Sequence, residues 1–332
     1  MKVRKILLGT NEVAGVGTAL KQAFLDLGYE VDFPVYYPHP FEYGGPRFVN
    51  RVLQKKVFLK SLLSFDTFIF LFGCSLLIGN GDLPCLRLFK KNIVSIFLGC
   101  DIRDREAVLK EKRPFSACSL CEITECSTGV KRTMAEKFEK YSSLILSQPE
   151  YSQLLKRNYD FLYMPIIPEN YEPSCPENDL PLVVHAPSNR KIKGTEHILK
   201  AVETLKSEGL KFQFTLLENL ANSELLDKVK MADIVIDQLL AGWHGFFAVE
   251  AMALGKPVLC YLRDEYRAAA PDIPIISAHP ENIAGSLRTL LEKPQKRKEL
   301  GRLGREYVEK HHDARRIARR IIERLETKSH QR

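Results

Sequence analysis

Arg190 and Lys193 lie three residues apart in APSNRKIKGT (186–195), a stretch that reads as the loop after a strand and before a helix. Two fixed cations at the carboxyl end of a strand suit a diphosphate. Arginine supplies a planar fork and lysine a point charge, and together they can stabilise a leaving diphosphate where no metal does so. A second segment, ADIVIDQLLAGWHGFFAVEAMALGKPVLC (232–260), reads as strand, glycine-bearing loop, helix, Gly-Lys-Pro turn and strand. Gly245 opens that helix with free backbone N–H groups at its positive end, a ready anion site. Glu250 falls among Ala248, Val249, Ala251 and Met252, where a charge is costly without a partner. A ribose diol would satisfy it with two hydrogen bonds; a glutamate facing solvent from an amphipathic helix would need none.

Weaker signals lie in the first half. Gly15 and Gly17 fall between the first strand and the first helix, without the third glycine of a dinucleotide fingerprint. FLGCDIR (97–103) places Asp101 and Arg103 at the carboxyl end of another strand. Cys118, Cys121 and Cys126 form C-x2-C-x4-C, with Cys100 as a fourth thiolate for a structural zinc; the plain alternative is a group of ordinary thiols in an inserted loop. Arg47–Ser64 carries Arg47, Arg51, Lys55, Lys56 and Lys60 with no acid. Such a basic amphipathic helix can lie on an anionic membrane or simply pack one face on its own sheet.

GFFAVEAMALGKPV (245–258) resembles the C-terminal signature of retaining GT-B glycosyltransferases of the family 4-like group. The resemblance implies two Rossmann-like doubly wound α/β domains facing a cleft. It makes Glu250 the ribose carboxylate, with Gly245, Phe246 and Phe247 presenting N–H groups to a nucleoside diphosphate sugar. Arg190 and Lys193 would hold the leaving diphosphate, and Gly15 and Gly17 would approach the donor. FLGCDIR resembles the family's acceptor-side stretch, with Leu98 and Cys100 at its His and Ser positions while Asp101 and Arg103 remain. The chain departs from the pattern at Gly242, where the family has a second Glu eight residues before the first. Contact with the transferred sugar is then lost or moves to His244, Gln238 or Asp237.

The implied reaction transfers a glycosyl group to an acceptor hydroxyl with retention, in polysaccharide or glycoconjugate synthesis on a glycan or lipid-linked acceptor. It needs no metal cofactor, and the chain contains no Asp-x-Asp. Two rivals remain: a non-catalytic GT-B scaffold that binds nucleotide or glycan, which Gly242 favours, and a nucleotide-sugar epimerase, for which no acid and base can be placed. A nucleic-acid partner is not expected, because no aromatic-basic reader motif appears.

The elements that must position these residues follow from hydrophobic pattern. The 332 residues suit two domains. Strands are predicted at Lys5–Leu8, Glu30–Phe33, Thr67–Phe72, Ile93–Phe97, Ser143–Leu146 and Phe161–Met164. Helices are predicted near Arg47–Leu63, Leu83–Lys90, Thr128–Tyr141 and Tyr151–Asn158. This alternation gives an acceptor-side domain over 1–165. Residues 166–181, crowded with Pro, Asn and acids, read as a linker. A second domain over 182–312 restarts the pattern, the tail from Pro280 to about Leu325 reads as helical throughout, and a basic helix over 313–332 is expected to return to the first. The apolar run Ser61–Gly79 contains Asp66 and reads as a buried strand rather than a membrane span. No signal-peptide core is evident at the start, so the cytoplasm, or its membrane face, is the expected location. The net charge of +8 suits an anionic partner without choosing one.

Overall fold

The computed structural model describes residues 3–37, 46–111, 113–123, 126, 128–176 and 178–330. The chain divides into two compact units. One takes Met1–Arg105, Glu125–Ile167 and Asp313–Arg332, and the other takes Glu106–Thr124 and Pro168–His312.

In the first unit, β1 (Lys5–Leu8), α1 (Val16–Asp26) and β2 (Glu30–Asp32) open a parallel α/β layer. A two-stranded pair, β3 (Pro34–Val35) with β4 (Arg47–Phe48), lies beside it, followed by α2 (Gln54–Ser64). Then come β5 (Thr67–Leu71), α3 (Leu83–Leu88), β6 (Asn92–Ile96), α5 (Thr128–Tyr141), β7 (Leu144–Ser147) and β8 (Asp160–Phe161), while α4 (Arg105–Lys110), between β6 and α5 in sequence, lies in the second unit from Glu106 on. The main sheet runs β2-β1-β5-β6-β7-β8, all parallel, with Leu7 opposite Phe68 and Ile69 opposite Val94. β5 is buried at every position, as helices on both faces require. It begins only three residues after α2 ends, and no helix among the described residues is long and apolar enough to cross a membrane.

The second unit is built the same way. It contains β9 (Leu182–His185), α6 (Arg190–Lys193), α7 (Thr195–Ser207), β10 (Gln213–Leu216), α8 (Asn222–Lys230) and β11 (Ile234–Ile236). After these come α9 (Phe246–Ala253), β12 (Val258–Cys260), α10 (Asp264–Arg267), β13 (Ile276–Ser277), α11 (Ile283–Glu292) and α12 (Pro294–His311). The sheet order is β10-β9-β11-β12-β13, again all parallel. In each sheet the first strand, β1 or β9, is flanked by strands reached in opposite directions. That reversal is where doubly wound sheets bind ligands, beyond the carboxyl ends of the strands.

The last helix, α13 (Ala314–His330), belongs to the first unit and packs on α1. Its Arg324 forks onto Asp160 at 2.6 and 2.8 Å, and the Ala314 N–H donates to the Ile166 carbonyl. In the second unit α12 lies tightly on the turn after α9. A Cβ on Gly301 would stand 2.1 Å from the Gly255 carbonyl oxygen, so only glycine permits that approach.

Three predicted elements differ. Arg47–Leu63 is not one helix: Arg47–Phe48 pair as β4, Asn50 caps a 3-10 turn, and the helix starts at Gln54. Tyr151–Asn158 is not helical, because the buried carboxylate of Glu139 takes the N–H groups of Lys156 (2.7 Å) and Arg157 (2.5 Å). The C-terminal tail is interrupted at Lys293 and again at His312–Asp313.

Candidate functional site

The loops after β9 and β11 meet at the second unit's strand reversal and bring together most of the residues singled out there. Asn189 caps the single turn α6, accepting from the Ile192 N–H at 3.1 Å, and Gly194 ends it at φ 78°. This turn holds Arg190 and Lys193 at the strand's carboxyl end. Lys193 Nζ lies 2.6 Å from Asp237 Oδ1, and the other carboxylate oxygen of Asp237 accepts from the Gly245 N–H at 2.9 Å. Asp237 therefore ties the cation to the start of α9. Burial pushes its pKa up, but the charge and hydrogen bond of Lys193 outweigh this and leave it below the usual value. A Cβ at Gly245 would be 3.2 Å from both Asp237 Oδ2 and Lys193 Nζ, so the absence of a side chain lets the three converge.

One expected donor is already used: the Gly245 N–H is taken by Asp237. Phe246 and Phe247, the first residues of α9, have no intrahelical acceptor for their own N–H groups. Arg190 is exposed and forms a two-point pair with Glu218, which follows β10; Nε donates at 2.9 Å. This occupies only part of the guanidinium fork.

Glu250 is buried on α9, not solvent-facing. Its Oε1 accepts from Asn222 Nδ2 at 3.0 Å and from the Tyr171 hydroxyl at 3.3 Å. Burial raises its pKa to about 7; those two hydrogen bonds lower it, and the negative charge of Asp237 raises it again. His244 is buried too, and burial lowers its pKa to about 4, so its imidazole is neutral near pH 7. Gln238 donates to the Trp243 carbonyl at 2.5 Å, which closes the loop between β11 and α9.

Gly242 adopts φ 85°, and a Cβ there would meet Arg263 Cδ at 2.7 Å. The position at which the resemblance has a glutamate is thus a left-handed turn with an arginine stem laid across it. Lys256, in the Gly-Lys-Pro turn, is buried and donates to the carbonyls of Ser174 and Lys230 and to the Ser174 hydroxyl at 2.7–2.8 Å. Burial lowers its pKa to about 8, and it fastens the 166–181 segment to the second unit.

Sequence reasoning did not single out Glu218, Tyr171 or Asn222, which touch the candidate residues from remote points in the chain. It also missed the placement of residues 106–124 in the second unit. There the Ala117 N–H donates to the Leu240 carbonyl, Lys191 pairs with Glu122, and Phe115 stacks on His279 at 5.0 Å.

In the first unit, Glu12 accepts from the N–H groups of Gly17 (3.2 Å) and Thr18 (2.8 Å) and from the Thr18 hydroxyl. The start of α1 is thus served by the protein's own carboxylate. Gly15 takes φ 78°, and a Cβ on Gly17 would strike Phe33. Asp101 and Arg103 also take separate partners, while the Arg103 charge favours the ionised Asp101. Asp101 accepts from the N–H groups of Gly99 and Leu98, and burial raises its pKa to about 6. Arg103 forks onto Glu150 at 3.0 and 2.6 Å and reaches Cys100 Sγ at 2.9 Å. The zinc site expected from Cys100, Cys118, Cys121 and Cys126 has no counterpart among the described residues, where no group of three or more His, Cys, Asp or Glu could hold a metal ion. Cys118 and Cys121 belong to the second unit, and Cys126 accepts from Lys131 at 2.9 Å.

No family model and no curated protein matches the chain by sequence. Solved structures match it in fold. Sucrose-phosphate synthase from Thermosynechococcus elongatus is similar with a TM-score of 0.64 and 14% identity, over 96% of this chain and 97% of that one. A UDP-N-acetylglucosamine 2-epimerase gives 0.56 and 13% over 100% and 98%. S. aureus TarM, in complex with UDP, gives 0.55 and 12% over 83% of this chain and 59% of its own. Each of the two units here carries a doubly wound parallel sheet, and these are the structures they resemble: the chain has the GT-B fold.

Proposed function

We propose that the chain is a glycosyltransferase that moves a sugar from a nucleoside diphosphate sugar to an acceptor hydroxyl with retention, without a metal. The observation that carries this reading is the Lys193–Asp237–Gly245 junction at the strand reversal, with Glu250 buried one helical turn further on. In this reading the diphosphate rests against the N–H groups of Phe246 and Phe247, with Lys193 and the open part of the Arg190 fork beside it. As the bond to the sugar breaks, these donors take up charge growing on the diphosphate. Prior pairing with Asp237 and Glu218 holds both cations in place, so little ordering is left for the reaction. Glu250 accepts hydrogen bonds from the ribose through Oε2, which accepts none among the described residues.

A panel of UDP-, GDP- and ADP-sugars, assayed for nucleotide release with and without simple glycoside acceptors, tests the reading. Turnover that is lost in Lys193→Ala supports it. Gly242 and the arginine across it favour a second reading, a nucleotide-binding scaffold without turnover. Binding of a nucleotide without hydrolysis of any sugar donor would select that reading.

Peripheral contact with an anionic membrane fits the outer face of α2 and the turn before it. Val52 and Leu63 are 85% and 83% exposed, Leu59 is exposed as well, and Lys55, Lys56 and Lys60 are interspersed. Flotation with phosphatidylserine vesicles, lost in Lys55→Glu/Lys56→Glu/Lys60→Glu, tests this.

A further inference from the structure

A cavity of about 640 Å³ opens at the carboxyl edge of the first unit's sheet. Two walls come from the loops after β1 (Thr10, Asn11) and after β5 (Gly73–Asn80), the strands at which the sheet order reverses. The segment around the start of α2 adds Arg51 and Gln54, and α5 adds Met134 and Lys137. The volume is that of an ordinary small-molecule site.

Among the described residues the charge lining this cavity has one sign: Arg51 and Lys137 face it, and no described Asp or Glu lines it. Lys137 Nζ donates to the Gly79 carbonyl at 2.6 Å; Arg51 lies over the Tyr37 ring at 5.5 Å and donates to its hydroxyl. Neither cation is paired with a carboxylate among the described residues. Asp82, on the same β5 loop, is buried, and its oxygens accept from the Ser75 hydroxyl and from the N–H groups of Leu76 and Leu77. The loop is stiffened further: Asn80 accepts from the Ser75 N–H at 2.8 Å and donates to the Gly73 carbonyl at 3.0 Å, and the Tyr36 hydroxyl donates to the Leu76 carbonyl at 2.8 Å. Gly73 takes φ 63°, a left-handed conformation that favours glycine, and the end of the Met134 side chain lies against it at the floor of the cavity. The result is a preformed pocket with two cations that have no acidic partner among the described residues, neutral hydrogen-bonding groups and an apolar side.

We propose that this cavity takes the acceptor, and that the acceptor is a sugar-sized molecule bearing a phosphate or carboxylate held by Arg51 and Lys137. The assignment as acceptor rests on the glycosyltransferase reading; the preference for an anion rests on the cavity alone. A planar fork and a point charge lining one cavity fit an oxyanion and leave the hydroxyl-bearing ring to Thr10, Asn11 and Gln54.

Met134 gives a direct readout. The full chain, labelled with ¹³C at the methionine methyls, is titrated with inorganic phosphate, glucose 6-phosphate and glucose, and Met134→Leu assigns the resonance. The Met134 methyl is expected to shift saturably with glucose 6-phosphate and with phosphate in the millimolar range, and not with glucose. Arg51→Ala and Lys137→Ala should each weaken the response about tenfold, the loss of one charged contact. Lys140→Ala, which removes an exposed charge of α5 that does not line the cavity, should leave it unchanged. A Met134 signal unmoved by both phosphates, moved equally by glucose, or moved equally in the Arg51 and Lys137 variants overturns the proposal. Calorimetry with UDP, GDP and ADP on the same samples separates the two claims. Nucleotide binding with a silent Met134 removes the anionic acceptor and keeps the transferase. A responding Met134 with no nucleotide binding keeps the anion cavity and removes the transferase.

Discussion

Replacing Lys193 with methionine strips a buried carboxylate of its partner at nearly constant side-chain volume. Lys193 is 13% exposed and Asp237 0%, and their atoms lie 2.6 Å apart. After the change Asp237 keeps the Gly245 N–H but loses the ammonium. Removing one member of a buried pair costs about 3–5 kcal/mol, and the partial exposure of Lys193 places this case at the lower end. In a unit of this size each kcal/mol moves the melting temperature by about 2–4 °C, so a fall of roughly 6–12 °C is expected near neutral pH. The sign of the pH dependence should also reverse. In the native protein the folded pKa of Asp237 is depressed, so its contribution is present above the unfolded aspartate value and is lost as pH falls through the folded one. In Lys193→Met burial prevails and raises that pKa. The variant then loses stability as pH rises above about 4, the unfolded value, and the gap from wild type widens between mildly acidic and mildly alkaline buffer. Adding Asp237→Asn removes the stranded charge and should recover most of the loss. Thermal unfolding followed by circular dichroism at both pH values reads all of this. A single variant that melts within about 2 °C of wild type at both values would refute the reasoning.

Restoring the resemblance by Gly242→Glu should destabilise the second unit by about 1–3 kcal/mol rather than improve activity. The backbone there is left-handed and Arg263 fills the space, and urea unfolding reads the effect. Gly17→Ala should cost about 1–3 kcal/mol in the same assay, because its Cβ would stand 2.3 Å from a ring carbon of buried Phe33. The pKa of Glu250, raised to about 7 by burial, predicts that nucleotide affinity grows as pH rises through neutrality, since the ribose hydroxyls donate to the ionised form. Glu250→Gln should flatten that profile in calorimetry.

The parts of the fold that were legible in sequence are those fixed by local pattern. Thr67–Leu71, Ile234–Ile236 and Val258–Cys260 are buried on both faces, so each appears as an unbroken apolar run. Arg190 and Lys193 were placed correctly at a strand's carboxyl end because the strand before them and the helix after them both carry clear periodicity. Partners were not legible. Glu218 lies 28 residues from Arg190 and Asp237 lies 44 from Lys193, and nothing local brings either pair together. Asp237 was named only as an alternative contact for the sugar, whereas it joins Lys193 to α9. Glu12 could have been recognised: an acid just before a helix start is a ready cap for first-turn N–H groups. The segment 106–124 follows strand β6 of the first unit in sequence but packs in the second, a choice set by tertiary contacts such as Phe115 on His279.

The most direct test of the account is calorimetric titration of UDP, GDP and ADP into the wild-type chain, Arg190→Ala and Glu250→Ala. One nucleotide should bind, and each variant, still folded, should bind it about ten- to a hundredfold more weakly, as the loss of a charged hydrogen bond requires. A folded protein that binds none of the three, or one whose affinity is indifferent to both substitutions, would contradict a nucleotide site at the start of α9.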